Sequence, residues 1–167
     1  MLECYEKVKH FKSYHYLLPN IADVLKNSVV AYDDRVDDYN IYCSARCPDL
    51  TIDQFLSRFV KYLHCTPQCF VNMIINLRKF FYNNPSIGLH NKNIHRLISI
   101  ALVVSIKMRD DLAYYNKFYA RVIGVSLEEL NLMEVYFLYG ISWRLFITEN
   151  MFLCTVSRLS NNTYSIF

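Results

Sequence analysis

Two pairs of cysteines are the residues in this sequence whose spacing could bind a metal ion. Cys43 and Cys47 form one C-x3-C pair, Cys65 and Cys69 form a second, and a histidine precedes the second pair. Cysteine sulfur and histidine nitrogen are common zinc ligands, so a zinc site is one interpretation. The spacing is not that of a standard finger or ribbon, and Pro67 inside the second pair indicates a helix start. The pattern therefore favours small buried or half-buried thiols, and we predict no metal and no cofactor.

The sequence contains no recognisable motif for catalysis. There is no glycine-rich phosphate loop, no pair of catalytic carboxylates and no evident combination of nucleophile and base. We therefore predict that the protein is not an enzyme.

A glutamate on the apolar face of a predicted helix is the other chemically unusual residue. At about 100° per residue, Glu134 falls on the same side of the helix as five apolar side chains. A carboxylate out of water needs a cation or several hydrogen-bond donors, or it takes up a proton. Lys107, which ends another apolar helix, also lacks a partner in its own helix. From the pattern alone, a salt bridge that only joins two helices is favoured over a binding site. The apolar stripe comprises Leu127, Leu130, Phe137, Leu138 and Ile141.

Composition points to one helical globule. The 167 residues are 53% hydrophobic and 16% aromatic, with only 3 Gly and 4 Pro, so folds with many turns are disfavoured. A net charge of +3 with scattered cations does not resemble a nucleic-acid-binding surface. The longest apolar stretch, 97–106, is about half of a membrane span, and the first residues lack a signal core. We predict an intracellular protein, nuclear or cytoplasmic or both, with reduced cysteines and no nucleic-acid or membrane partner.

Periodicity and helix-start signals divide the chain into helices that must position these residues. The segment from Asn93 to Met108 is apolar on nearly its whole circumference, which is typical of an enclosed central helix. Short helices around it predict an all-α orthogonal bundle. Helices are predicted at about 20–39, from Thr51 or Asp53 to His64, at 67–82, 93–108, 115–122, 126–139 and 148–159, with loops at 40–50 and 83–91.

The stretch IHRLISIALVVSIKMRDDLAYYNKFYARVIGVSLEELNLMEVYFLYGISWRL closely resembles the second half of the box of P-type (U-type) cyclins. Upstream, KYLHCTPQCFVNMIINLRKFF (61–81) is similar to the first two box helices of that family. The resemblance spans about residues 48–147. It implies a cyclin-box five-helix bundle at 48–147, an N-terminal extension at 1–47 with its own helix, and a C-terminal helix and tail at 148–167.

The resemblance also implies a function. Cyclins are regulatory subunits that bind and activate cyclin-dependent Ser/Thr protein kinases. The lysine that ends the third box helix and the glutamate of the fifth form the charged pair that contacts the kinase, and by position these are Lys107 and Glu134. The resemblance thus favours an interface role for the pair over a purely structural salt bridge. The apolar kinase contacts expected around the pair are Val104, Met108, Leu138, Trp143 and Leu145.

Two interpretations stay open beside this one. Asp110 and Asp111 could bind a basic groove on a protein substrate or an inhibitor, although capping and turn formation are the more usual roles of loop aspartates. The whole chain could instead be a cyclin-fold adaptor that acts without a kinase.

Overall fold

The computed structural model describes residues 16–30 and 40–167. All regular secondary structure in these residues is helical, which confirms the all-α prediction. The helices are α1 (Leu17–Asn27), α2 (Ile52–Leu63), α3 (Gln68–Asn83), α4 (Ile94–Arg109), α5 (Asn116–Ile123), α6 (Leu127–Gly140) and α7 (Glu149–Ser160).

Local signals fix the starts of several helices. The Thr51 hydroxyl accepts the backbone N–H of Gln54 and the Gln54 side chain returns the bond, which makes a capping box at the start of α2. Ser126 and Glu129 form the same motif at the start of α6. From α2 to α7, the helices begin and end within about a residue of their predicted positions.

The helix predicted at 20–39 is wrong at both of its ends. α1 begins before Pro19 and ends at Asn27. A proline is tolerated there because the first-turn N–H groups have no partner within the helix. Beyond the helix, the Val30 N–H donates to the Leu89 carbonyl at 2.8 Å, so this backbone pairs with a distant loop. The rest of the predicted segment, with its acidic cluster, lies outside the described residues.

The core forms around α4, as its all-round apolar sequence predicts. Every residue from Leu97 to Ile106 is buried, and the helix packs mainly against α3 and also against α6. A buried polar side chain of this helix is bonded: the Asn76 amide of α3 donates to the Ser105 hydroxyl at 3.0 Å, which donates to the Ala101 carbonyl. This central helix carries Lys107 to the surface in its last turn.

The terminal helices pack on the same core. α7 lies against α3 and α1, and the Asn20 amide of α1 donates to the Leu159 carbonyl of α7 at 2.8 Å. None of the helices within residues 16–30 and 40–167 has the length and apolar character that crossing a bilayer requires.

Gly140 permits a close approach of α6 to α3. A Cβ at this position would lie 2.5 Å from Cε2 of Phe80. The Asn83 and Asn84 amides of α3 both donate to the Gly140 carbonyl at 3.0 Å. The end of α6 is therefore held against α3 with no room for a side chain.

We expect Gly140→Ala to lower the free energy of unfolding by about 1–3 kcal/mol, because the buried Phe80 ring must move. Gly88→Ala is the matched control, since its Cβ would meet Val30 Cγ2 at an ordinary 3.5 Å. Urea unfolding of the two variants checks this. Equal stability of the two variants would contradict the close approach.

Candidate functional site

The charged pair predicted from the sequence is formed in the structure. Lys107 Nζ lies 2.5 Å from Glu134 Oε1, and the two side chains are 28% and 16% exposed. The second carboxylate oxygen of Glu134 accepts a hydrogen bond from the Asn116 amide at 2.8 Å. That amide also donates to Asn131 Oδ1 at 2.7 Å. Glu134 is therefore compensated by one cation and one donor, and it is held in a fixed orientation.

The Lys107 ammonium keeps free hydrogen-bonding capacity. It has three N–H donors, and Glu134 is its only hydrogen-bond partner among the described residues. Because the pair is partly exposed rather than buried, the remaining donors can reach acceptors on another molecule.

Helix α6 has a buried apolar stripe and, on its opposite side, an exposed one. Glu134 lies at the edge of the buried stripe, and the positions of Asn131 and Leu138 separate it from the exposed stripe. Leu130, Met133, Phe137 and Ile141 are fully buried. On the other side, Leu132, Val135, Tyr136 and Tyr139 follow i, i+3, i+4, i+7 spacing, which places them on one face of a helix. They are 50%, 47%, 57% and 64% exposed. The Trp143 ring lies edge-on to the Tyr139 ring, with the ring centroids 5.6 Å apart. We call these four residues and Trp143 the outer face.

An exposed apolar surface of this kind is typical of a protein-binding site, since isolated soluble proteins rarely expose contiguous apolar patches. The family model described as Cyclin matches residues 18–145. The chain belongs to the cyclin family. The predicted all-α cyclin-box fold class is confirmed, while the predicted box bounds of 48–147 stay a prediction.

Individual relatives of this cyclin carry plant U-type and P-type names. It is 40% identical over 138 residues to Cyclin-U4-1 of Arabidopsis thaliana, an alignment that covers 81% of this chain and 67% of that protein. It is 34% identical over 143 residues to Cyclin-P3-1 of Oryza sativa subsp. japonica, covering 82% and 60%. Cyclin-P4-1 of the same plant is 36% identical over 105 residues, covering 63% and 50%. The chain thus spans about half to two-thirds of the length of such relatives, and the predicted family is confirmed.

The five apolar residues predicted as kinase contacts differ in how far their side chains are exposed. Met108 and Trp143 are more than half exposed. Leu138 and Leu145 are partly buried against the core. Val104 is only 2% exposed, because it belongs to the enclosed helix α4, and this burial speaks against a direct contact. A kinase-binding role stays a prediction for all of them.

Of the outer face, sequence reasoning singles out only Trp143, and it does not single out Asn116 as a site residue. The outer face has a detectable signal, since the four α6 residues repeat with helical spacing opposite the buried stripe. Asn116 has no such signal. Its contact with Glu134 joins the start of α5 to the middle of α6, and only the packed structure shows it.

Asp110 bonds to the residue that stands two positions before the first residue of α3. It accepts the Thr66 backbone N–H at 2.9 Å and the Thr66 hydroxyl at 2.5 Å. Because the start of α3 has no side-chain cap, this contact is a tertiary bond between two loops and not a helix cap. Asp111 is exposed and makes no hydrogen bond or ion pair with a residue that the structure describes. Docking of a substrate or inhibitor at the two aspartates stays a prediction.

We expect Asp110→Ala to lower the free energy of unfolding by about 1–2 kcal/mol, because the Thr66 N–H and hydroxyl lose their acceptor. Asp111→Ala is the adjacent control and is expected to change stability by less than about 0.5 kcal/mol. Thermal or urea unfolding measures both values. A neutral Asp110→Ala would refute a stabilising role for these tertiary hydrogen bonds.

The cysteine pairs are not assembled into a metal centre in the part of the chain that the structure describes, where no three His, Cys, Asp or Glu side chains form a group able to hold an ion. Cys69 is buried. A hydrogen bond with Cys65, together with burial, raises the pKa of the Cys69 thiol, which keeps it protonated rather than in the thiolate form that binds metals.

Proposed function

We propose that this cyclin is the regulatory subunit of a cyclin-dependent Ser/Thr protein kinase, which it binds through the outer face and the Lys107–Glu134 pair and thereby activates. The observation that carries this proposal is the ion pair itself, which is formed, held in orientation by Asn116 and partly exposed, on a helix that also presents exposed apolar side chains. Membership of the cyclin family supports a regulatory role of this kind.

The composition of the outer face suits a protein partner. Tyr and Trp side chains dominate the strongest contacts of protein interfaces, and bulky aromatic anchors surrounded by apolar contacts exclude water. The outer face supplies Tyr136, Tyr139 and Trp143 together with Leu132 and Val135.

The ion pair would fix the orientation of the two partners. The free Lys107 donors are suited to backbone carbonyls of the kinase. Glu134 has each carboxylate oxygen bonded to one donor, and each oxygen can accept a further N–H. Fixed groups of this kind lose little conformational entropy on binding.

Activation would be an increase in the population of the kinase's active conformation. A kinase is active when its own lysine–glutamate pair and its metal-binding segment are in place. A subunit that binds this arrangement better than the inactive one increases its population by the ratio of the two affinities. The cyclin therefore needs no catalytic group of its own. The proposal also places it where such kinases act, in the nucleus, the cytoplasm or both.

The direct test is reconstitution with purified monomeric cyclin-dependent kinases from the source organism. We expect one of them to bind the cyclin and to phosphorylate a proline-directed peptide faster in its presence. If none of these kinases binds or is activated, the proposal fails and an adaptor without a kinase takes its place.

A further inference from the structure

A groove with a strongly basic lining lies between helices α3 and α7. Its cavity has a volume of about 760 Å³. Arg78 and Lys79 come from α3, Arg158 comes from α7, and Arg144 comes from the segment between α6 and α7. We call this site the basic groove. It shares no residue with the outer face or the Lys107–Glu134 pair.

Among the residues that the structure describes, no Asp or Glu side chain lines the basic groove. Within residues 16–30 and 40–167, none of the four cations forms an ion pair, whereas Lys26, Arg96 and Lys107 elsewhere each do. Four like charges converge on one cavity, so an anionic ligand would relieve their mutual repulsion.

The groove also presents apolar surface. Tyr82 and Phe146 are 85% and 81% exposed, and Met151 is 41% exposed. Ile75 and Ile141 line the same cavity and are buried. A ligand that fits must therefore combine negative charge with a bulky apolar group.

Part of the groove is held in place by the fold. Lys79 Nζ donates to the carbonyls of Arg144 and Phe146, at 2.8 and 3.0 Å, which fixes the segment that carries both residues. Arg78 lies over the Tyr164 ring, 5.9 Å from its centre. Burial lowers the pKa of Lys79, and a nearby anion would oppose this effect and favour the charged amine.

We propose that the basic groove binds an acidic peptide segment that carries a bulky apolar side chain. Arginine forms strong charge-assisted bonds with carboxylates, while Phe146 and Met151 would pack against the apolar side chain. A peptide suits the site better than a polynucleotide, because the unpaired cations are confined to one cavity and the protein's net charge is only +3. Binding here does not depend on the proposed kinase interaction, so the isolated cyclin is sufficient for the test.

The experiment is fluorescence anisotropy with the purified full chain. The probe is a fluorescein-labelled peptide with six Asp or Glu residues around a central Phe-Leu pair, and the reference probe has Asn and Gln in place of the acids. We expect the acidic probe to bind saturably with a dissociation constant below about 100 μM. Binding should weaken as the salt concentration is raised. The reference probe is expected to bind at least tenfold more weakly.

Variants locate the binding site. Arg144→Glu/Arg158→Glu, which changes two exposed side chains, is expected to weaken binding at least tenfold. Phe146→Ala retains all charges and is expected to weaken it at least threefold. The control Arg46→Glu/Lys117→Glu makes the same charge change at exposed positions outside the groove, and is expected to bind within twofold of the wild type.

Three results would overturn the proposal. The first is no saturable binding of the acidic probe by the wild-type protein. The second is an equal loss of binding in the groove variants and the control variant, which would indicate attraction by net charge alone. The third is tighter binding of a single-stranded oligothymidylate than of the peptide, which would reassign the groove to nucleic acid.

Discussion

A cyclin in which Val135 and Tyr139 are both replaced by Glu is expected to lose at least about 100-fold in affinity for its kinase, or about 2.7 kcal/mol. Both side chains lie on the outer face and are about half exposed or more. In the complex they would be covered, and each new carboxylate would then be removed from water without a cation. Surface plasmon resonance with the kinase identified by reconstitution measures the affinity.

The folded state of this variant is expected to be nearly unchanged, because neither side chain belongs to the core. Tyr82→Glu/Phe146→Glu is the matched control, since it adds the same two charges at exposed aromatic or apolar positions of the basic groove. This control should bind the kinase as the wild type does. If the two double variants bind equally well, the outer face is not the kinase interface.

Truncation of Phe137 is expected to have the largest effect on stability, with a loss of about 3–5 kcal/mol in Phe137→Ala. The ring is fully buried and stacks on Phe80, with centroids 5.2 Å apart and planes 6° apart. Its removal leaves a cavity where α6 meets α3 and also removes the aromatic pair. Since a domain of this size is typically stable by about 5–15 kcal/mol, a large part of the total would be lost.

The neighbouring residue gives the control for this prediction. Tyr136 is 57% exposed, and Tyr136→Ala is expected to cost less than about 0.5 kcal/mol. Urea unfolding measures both variants. A loss below about 1 kcal/mol in Phe137→Ala would mean that α6 is not anchored through this ring.

The sequence predicts those features that are encoded locally or by periodicity. The capping motifs at Thr51 and Ser126 mark helix starts within a single turn. The all-round apolar pattern of α4 identifies the central helix. Lys107 and Glu134 are found because each conflicts with its local pattern, and residues that break a local rule often belong to functional sites.

The features that the sequence does not predict depend on tertiary contacts. The end of α1 is set in part by the bond from Val30 to Leu89. The hydrogen bond from Thr66 to Asp110 joins positions 44 residues apart. Asn116 reaches Glu134 only because α5 packs against α6. A single sequence cannot identify these hydrogen-bond partners, because many other polar residues could form the same bonds before the chain is folded.

The Lys107–Glu134 pair can be tested by exchanging its two residues. We expect Lys107→Glu/Glu134→Lys to unfold at nearly the wild-type temperature, because the swapped side chains can still form a salt bridge. It should neither bind nor activate the kinase, because the charges that face the partner are reversed. Kinase affinity and activation of the swapped variant, measured beside its melting temperature, therefore separate the two roles. A swapped variant that is stable and still binds and activates the kinase as the wild type does would contradict the account and leave the pair as a structural salt bridge.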